Sequence, residues 1–250
     1  MQKHVITSSA GKKLALISKM PAGKPNFVVI ACHGFMGGKE NRGWINILAD
    51  KLGPLNFGLV AFDFAGSGES EGEFARITLT RQSKDLKDVI TYVSKNYKAP
   101  LILLGRSFGG STILAGGNLL DEVVGYILWA TPVFLRETFS TIMPNEYSKM
   151  LQGHTVTIVE EGQEITIAPD FAIDLEKHNM DQYLLNIGKK PIMVIHGDAD
   201  IVVSPANAKY IKEKLPHAQV HVVEGADHSF AGHEMHRIEL TVEWLKKVFC

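Results

Sequence analysis

Apolar character in this chain arrives in short bursts separated by amphipathic stretches, and that rhythm restricts the fold more than any other feature. Runs rich in Val, Ile, Leu and Phe occupy residues 14–17, 27–32, 58–62, 101–104, 124–129, 192–195 and 220–223. Each has the length of a strand and is too short for a core helix. Between several of them apolar side chains recur at helical spacing, with Leu86, Val89, Ile90, Val93 and Tyr97 on one face and Ile238, Val242, Leu245 and Phe249 on another. Strand and helix in alternation predict an α/β fold, with a mostly parallel central sheet, helices on both faces, and ligands bound beyond the carboxyl ends of the strands. The stretch between 129 and 192 breaks the rhythm. There, residues 155–159 and 164–167 flank Glu161-Gly162, the pattern of a β-hairpin. Residues 132–181 are expected to form a small cap insertion within one domain spanning 1–250, since no repeat, low-complexity tract or Pro-rich linker marks a second.

Composition excludes several classes of function. With 45% hydrophobic and 21% charged residues, 250 residues suffice for one large core. Twenty-six basic against 27 acidic residues leave a net charge of −1. No electrostatic field therefore draws the chain toward nucleic acid or an anionic membrane, and a small-molecule ligand is expected. The longest apolar run, residues 27–32, falls far short of the roughly twenty residues of a membrane span. The amino terminus has no apolar stretch of signal-peptide type, so the cytoplasm is the expected location. Cys32 and Cys250 are too few for a disulfide framework or a thiolate zinc site; Cys32 reads as core and Cys250 as a free thiol. Nothing in the sequence sets an oligomeric state.

The chemistry concentrates at strand ends. Gly105-Arg106-Ser107-Phe108-Gly109 places G-x-S-x-G directly after the apolar run 101–104 and before a helix-compatible segment. A sharp strand-to-helix turn of this kind pushes the serine hydroxyl out of the sheet, and the glycines remove Cβ atoms that would collide there. The helix amino terminus adds positive potential where an oxyanion would form. The plainer reading, a serine capping a helix, does not account for the strand before it.

On these residues the chain resembles the α/β-hydrolases over nearly its whole length. His33-Gly34-Phe35 follows the run 27–32, where the family places a loop that donates an oxyanion-hole N–H. The turn from Asp63 to Ser70 resembles the family's D-x-R-G-x-G-x-S, departing from it with Ala65 where Arg is usual. Arg106 is a second departure, standing where many relatives carry His. The resemblance implies a nucleophile Ser107, a base His228 after the last strand, and an acid in the loop after His196-Gly197. A serine hydroxyl needs such a base, and the base needs an acid to fix its tautomer. Two carboxylates compete for the acid, Asp198 and Asp200; the family position favours Asp200, leaving Asp198 as a turn residue bonding to nearby backbone. The oxyanion hole is expected from the N–H groups of Phe108 and Phe35.

Other motifs fail on inspection. Gly66-x-Gly68 has Glu71 where a dinucleotide fingerprint needs glycine, and Gly38-Lys39 lacks both ends of a phosphate loop. His228, His233 and His236 match no recognised metal motif. No cofactor or metal is expected.

The insertion bears on substrate. Phe134, Phe139, Met143, Tyr147 and Met150 recur at approximate helical spacing, and Phe139, Met143 and Tyr147 are candidate walls of an acyl pocket, unless they only pack the insertion down. The insertion's place, length and hairpin resemble those of bacterial cinnamoyl and feruloyl esterases. That resemblance implies a serine carboxylesterase acting on small to medium esters, aryl esters above all. A serine peptidase, acylaminoacyl or thioester hydrolase is the alternative, and a non-catalytic ligand-binding homologue is a third reading that an intact triad disfavours.

Overall fold

The computed structural model describes residues 1–160 and 162–250. Its strands are β1 (Gln2–Thr7), β2 (Lys13–Lys19), β3 (Phe27–Cys32), β4 (Phe57–Phe62), β5 (Leu101–Arg106), β6 (Val123–Trp129), β7 (Val156–Glu160), β8 (Gln163–Ile167), β9 (Ile192–Gly197) and β10 (Gln219–Val223). The helices are α1 (Trp44–Leu52), α2 (Leu79–Tyr97), α3 (Phe108–Gly117), α4 (Leu135–Ile142), α5 (Pro144–Leu151), α6 (Asp170–Leu175), α7 (Met180–Ile187), α8 (Ala206–Lys214) and α9 (Glu234–Phe249). Eight strands form one sheet in the order β1-β2-β4-β3-β5-β6-β9-β10. From β4 to β10 every neighbouring pair is parallel; only β2 runs against its neighbours. This is the mostly parallel sheet that the alternation of elements predicts, in the arrangement that the resemblance of the motifs implies.

The runs are continuous because both faces of the sheet are covered. Val28 and Ile30 of β3, with Leu101 and Leu103 of β5, enter a core shared with α2 and α3. Val29 and Ala31, with Ile102 and Leu104, enter the opposite core under α1 and α9. Leu86, Val89, Ile90 and Val93 of α2 are all buried, each contributing about 1.5–3 kcal/mol of apolar transfer. Thr78 starts that helix by accepting the Arg81 N–H at 3.0 Å. Cys32 is buried, which pushes its thiol pKa up, and Cys250 is exposed.

The structure departs from the sequence pattern at three places. The first run is preceded by β1, an antiparallel edge strand that is mostly exposed and so carries almost no apolar signal. The apolar series from Phe134 to Met150 is not one helix but two, α4 and α5, broken at Met143 (φ −144°, ψ 63°). Pro144 causes the break, because the residue before a proline is pushed out of the helical region. Residue 181 lies in the first turn of α7, which packs against α3 and α8 rather than stopping there. The hairpin strands β7 and β8 pair antiparallel from Val156↔Ile167 outward. Of the turn Glu161-Gly162, Glu161 lies outside the described residues and Gly162 has φ +80°. Among the described residues no helix is long and apolar enough to cross a membrane.

Candidate active site

At the end of β5 the chain turns through Ser107 (φ 52°, ψ −126°) directly into α3. A side chain rarely adopts this conformation, and neighbouring bonds hold it: the Ser107 N–H donates to the Trp129 carbonyl at 2.7 Å and its carbonyl accepts the Gly110 N–H at 2.8 Å. Glycine is required on both sides. A Cβ on Gly105 would stand 2.5 Å from the Gly109 carbonyl, and one on Gly109 would stand 2.3 Å from the His33 carbonyl. Sheet, turn and helix therefore approach more closely than any other residue permits.

His228, in the loop between β10 and α9, meets this serine across the sheet edge. Its Nε2 lies 3.0 Å from Ser107 Oγ and its Nδ1 lies 2.8 Å from Asp200 Oδ2. A carboxylate only accepts, so Nδ1 carries the proton and Nε2 is left to accept from the serine hydroxyl. Asp200 is buried, and its other oxygen accepts the N–H groups of Val202 and Val203 at 2.9 and 2.8 Å. Burial alone would raise its pKa, yet hydrogen bonds from His196 and His228 hold the carboxyl well below the usual carboxylate range.

Asp198 is placed elsewhere: exposed, it accepts the Gly225 N–H at 2.7 Å. That bond is not local to its own turn, as the sequence suggested, but braces the loop after β9 against the loop that carries His228. His196 donates from Nε2 to the Val203 carbonyl at 2.8 Å, with Asp200 Oδ2 at 3.3 Å, and so supports the acid rather than acting as base. His33 links its own loop to Phe64, accepting that N–H at Nε2. The amide N–H groups of Phe35 and Phe108 have no acceptor among the described residues. Also among the described residues, no three His, Cys, Asp or Glu side chains are grouped to hold a metal ion.

The nucleophile opens onto a cleft of about 730 Å³ lined by Ser107, His228, Phe35 and Phe139. Of the three apolar candidates in the insertion, Phe139 reaches this cleft. Met143 and Tyr147 do not line it; they are buried in the core, and the Tyr147 hydroxyl donates to Glu176 at 2.8 Å. Phe139 instead joins Phe35, Phe108 and Phe171 in a cluster of edge-on and tilted rings with centroids 4.8–6.1 Å apart. Phe171 leaves little mark on the sequence because α6 has only six residues, too few for the Phe171–Leu175 spacing to stand out as a helical period.

Lys39 likewise leaves little mark. Its buried ammonium donates to Asp63 at 2.7 Å and to Glu69 at 2.6 Å, while its N–H donates to the other Asp63 oxygen at 2.7 Å. Burial works against the charge, but the two carboxylates hold its pKa above the ordinary lysine value. Glu69 is correspondingly held down to about 2 by Lys39 and Lys3. The arrangement ties the loop of Phe35 to the turn at residues 63–70. Asp63 is 1% exposed, and a carboxylate so buried requires a cation beside it.

The chain is similar to known proteins in sequence and in fold. Residues 23–181 match the family model described as serine aminopeptidase S33. The chain is 22% identical over 247 residues to the monoacylglycerol lipase of Mycolicibacterium smegmatis, covering 88% of this chain and 86% of that one. It is 24% identical over 210 residues to an uncharacterised Salmonella typhi protein, of whose length it spans 65%. Among solved structures, Est1E from Butyrivibrio proteoclasticus with ferulic acid bound superposes with a TM-score of 0.84 at 18% identity, covering 98% of each chain. An esterase of Pyrococcus furiosus superposes with a TM-score of 0.74 at 20% identity, covering 98% of this chain and 90% of that one. At such identities these likenesses establish the fold.

Proposed function

The chain belongs to the serine aminopeptidase S33 family of α/β-hydrolase enzymes, and from that premise we propose that it is a serine carboxylesterase of small to medium esters, with Ser107, His228 and Asp200 as its catalytic triad. The observation that carries the reading is the hydrogen-bonded chain from Ser107 Oγ through His228 to Asp200, at 3.0 and 2.8 Å. Ser107 Oγ attacks the ester carbonyl as His228 Nε2 takes its proton, and the Phe35 and Phe108 N–H groups receive the oxyanion. His228 returns the proton to the departing alkoxide, leaving an acyl group on Ser107. Water, deprotonated by the same nitrogen, then releases the acid. Asp200 keeps Nδ1 protonated throughout and offsets the imidazolium charge.

The insertion from residue 132 up to the start of α7 serves as a cap over this centre, and the Phe35 and Phe139 rings on the cleft wall favour an aryl or otherwise flat acyl group. The ferulic acid bound by Est1E and the monoacylglycerol lipase relative mark two kinds of ester to compare. Aminopeptidase action is the second reading, carried by the family's description. Against it stands Arg106, whose guanidinium beside the nucleophile would repel a free α-ammonium group. A fluorophosphonate probe should label Ser107 alone. Ser107→Ala should abolish labelling and lower kcat for 4-nitrophenyl acetate by on the order of 10⁴-fold or more. Labelling at a different serine overturns the triad, and faster cleavage of aminoacyl 4-nitroanilides than of esters overturns the esterase reading.

A further inference from the structure

Two guanidinium groups stand in the cleft without a carboxylate to hold them. Arg237, in the first turn of α9, is 1% exposed, yet its Nε and one Nη have no hydrogen-bond partner among the described residues. It is held by stacking instead, over the rings of Trp129 and Phe230 at 4.3 and 4.8 Å from their centroids. Arg106 lines the same cleft and forms no ion pair among the described residues. A Cβ on Gly34 would stand 3.1 Å from Ser107 Cβ and 3.7 Å from Arg106 Nη1, so that guanidinium lies within about 7 Å of the nucleophile's Cβ.

The two charges repel each other, and among the described residues neither is offset by a direct ion pair. The Arg237 pKa is pushed down to about 9, first by burial and then by the charge of Arg106, with Glu234 pulling the other way. Arg106 is lowered by burial and by Arg42, against the attraction of Asp200 and Asp227. Those carboxylates are engaged elsewhere, Asp200 as described and Asp227 by the Ala231 N–H at 3.0 Å. Burying a charge beside a like charge is unfavourable unless an anion enters. The flat, forked donors of arginine fit a carboxylate or phosphate better than any neutral group.

We propose that Arg106 and Arg237 form an anion subsite beside Ser107, so that the preferred ester carries a carboxylate or phosphate on its acyl or its alcohol part. This rests on the esterase reading above. The subsite gives that reading a substrate class: half-esters of dicarboxylic acids, or esters of hydroxy acids and phosphorylated alcohols.

The test compares isosteric pairs. On the alcohol side, 4-acetoxybenzoate and 4-acetoxyphenyl phosphate are each set against neutral 4-acetoxybenzamide; on the acyl side, monomethyl glutarate is set against its neutral amide. In at least one pair kcat/KM should favour the anion by about 10- to 100-fold, the scale of a charge-assisted hydrogen bond, and Arg106→Gln should bring that ratio toward one. The carboxylate and phosphate arms identify which anion the site takes. Equal or neutral-favoured turnover in every pair overturns the subsite and leaves the esterase reading standing. If no ester is cleaved, the esterase reading fails, and binding decides the subsite alone. A rise in Tm with glutarate or inorganic phosphate that Arg106→Gln removes supports it, and no rise overturns it.

Discussion

Exchanging Asp200 for asparagine separates an acid that works through histidine from one that only shapes its loop. One Asp200 oxygen accepts the Val202 and Val203 N–H groups, and the asparagine carbonyl can keep both bonds. The other oxygen becomes an NH₂ group facing His228 Nδ1 at 2.8 Å and His196 Nε2 at 3.3 Å. Two donors cannot share the first contact, so His228 adopts the opposite tautomer and presents an N–H to Ser107. The base is then lost from the ground state, and a kcat loss on the order of 10³–10⁴ is expected, equivalent to about 4–5.5 kcal/mol of barrier. Stability suffers less. The His228 contact re-forms with its polarity reversed, and His196 keeps the Val203 carbonyl, so the remaining mismatch costs about 1–2 kcal/mol, or roughly 2–8 °C in Tm.

The pH dependence follows from sign. A carboxyl whose folded pKa is depressed contributes stability above its unfolded value, near 3.8, and loses it as pH falls through the folded one. The gap in Tm between wild type and Asp200→Asn should therefore narrow on acidification below about pH 4. Steady-state hydrolysis of 4-nitrophenyl acetate and thermal melts measured by circular dichroism supply both numbers. Asp198→Asn, which can still accept the Gly225 N–H, is the control and should keep most of the activity. Retention of a tenth or more of wild-type kcat by Asp200→Asn, or a comparable loss in Asp198→Asn, would refute the assignment.

Three further outcomes are expected. Phe139→Ala opens the cleft wall and should lower kcat/KM for a cinnamate ester about 5- to 150-fold more than for an acetate, whereas equal losses with a lower Tm would make Phe139 only a packing residue. Asp85 is buried, and that burial, with Asp88 adding and the Ala65 N–H opposing, raises its pKa from 3.8 to about 6. The folded state therefore holds its proton more tightly and loses stability as pH climbs from 4 through 6; Asp85→Asn should be more stable than wild type by up to about 3 kcal/mol at pH 8 and show no advantage at pH 4, in parallel urea titrations. Lys39→Met strands the Asp63 carboxylate in the interior and should cost about 3–5 kcal/mol in the same titrations, and a loss under 1 kcal/mol would show that the three backbone and side-chain donors around Asp63 are not needed together.

What the sequence decided by itself is whatever depends on neighbours along the chain. Burial on both faces writes itself as unbroken apolar runs in the inner strands; of the two edge strands, β10 is legible only because it happens to carry three valines, and β1, mostly polar and exposed, is not legible. The turn at Ser107 is legible in part for a local reason: Gly105 answers to Gly109 and Gly110 a few residues on, whereas Gly109 answers to the Cys32 and His33 carbonyls, remote along the chain. Tertiary structure decided the rest. Ser107 and His228 are 121 positions apart and meet only because the order β5-β6-β9-β10 brings three loops to one end of the sheet. The same end gathers Phe171 onto Phe35, Lys39 onto Asp63, and Arg237 into the cleft with Arg106. None of these pairs leaves a period or a spacing in the sequence. A side chain's period records which face it must bury, whereas its partner is chosen by the crossing of elements that are remote along the chain.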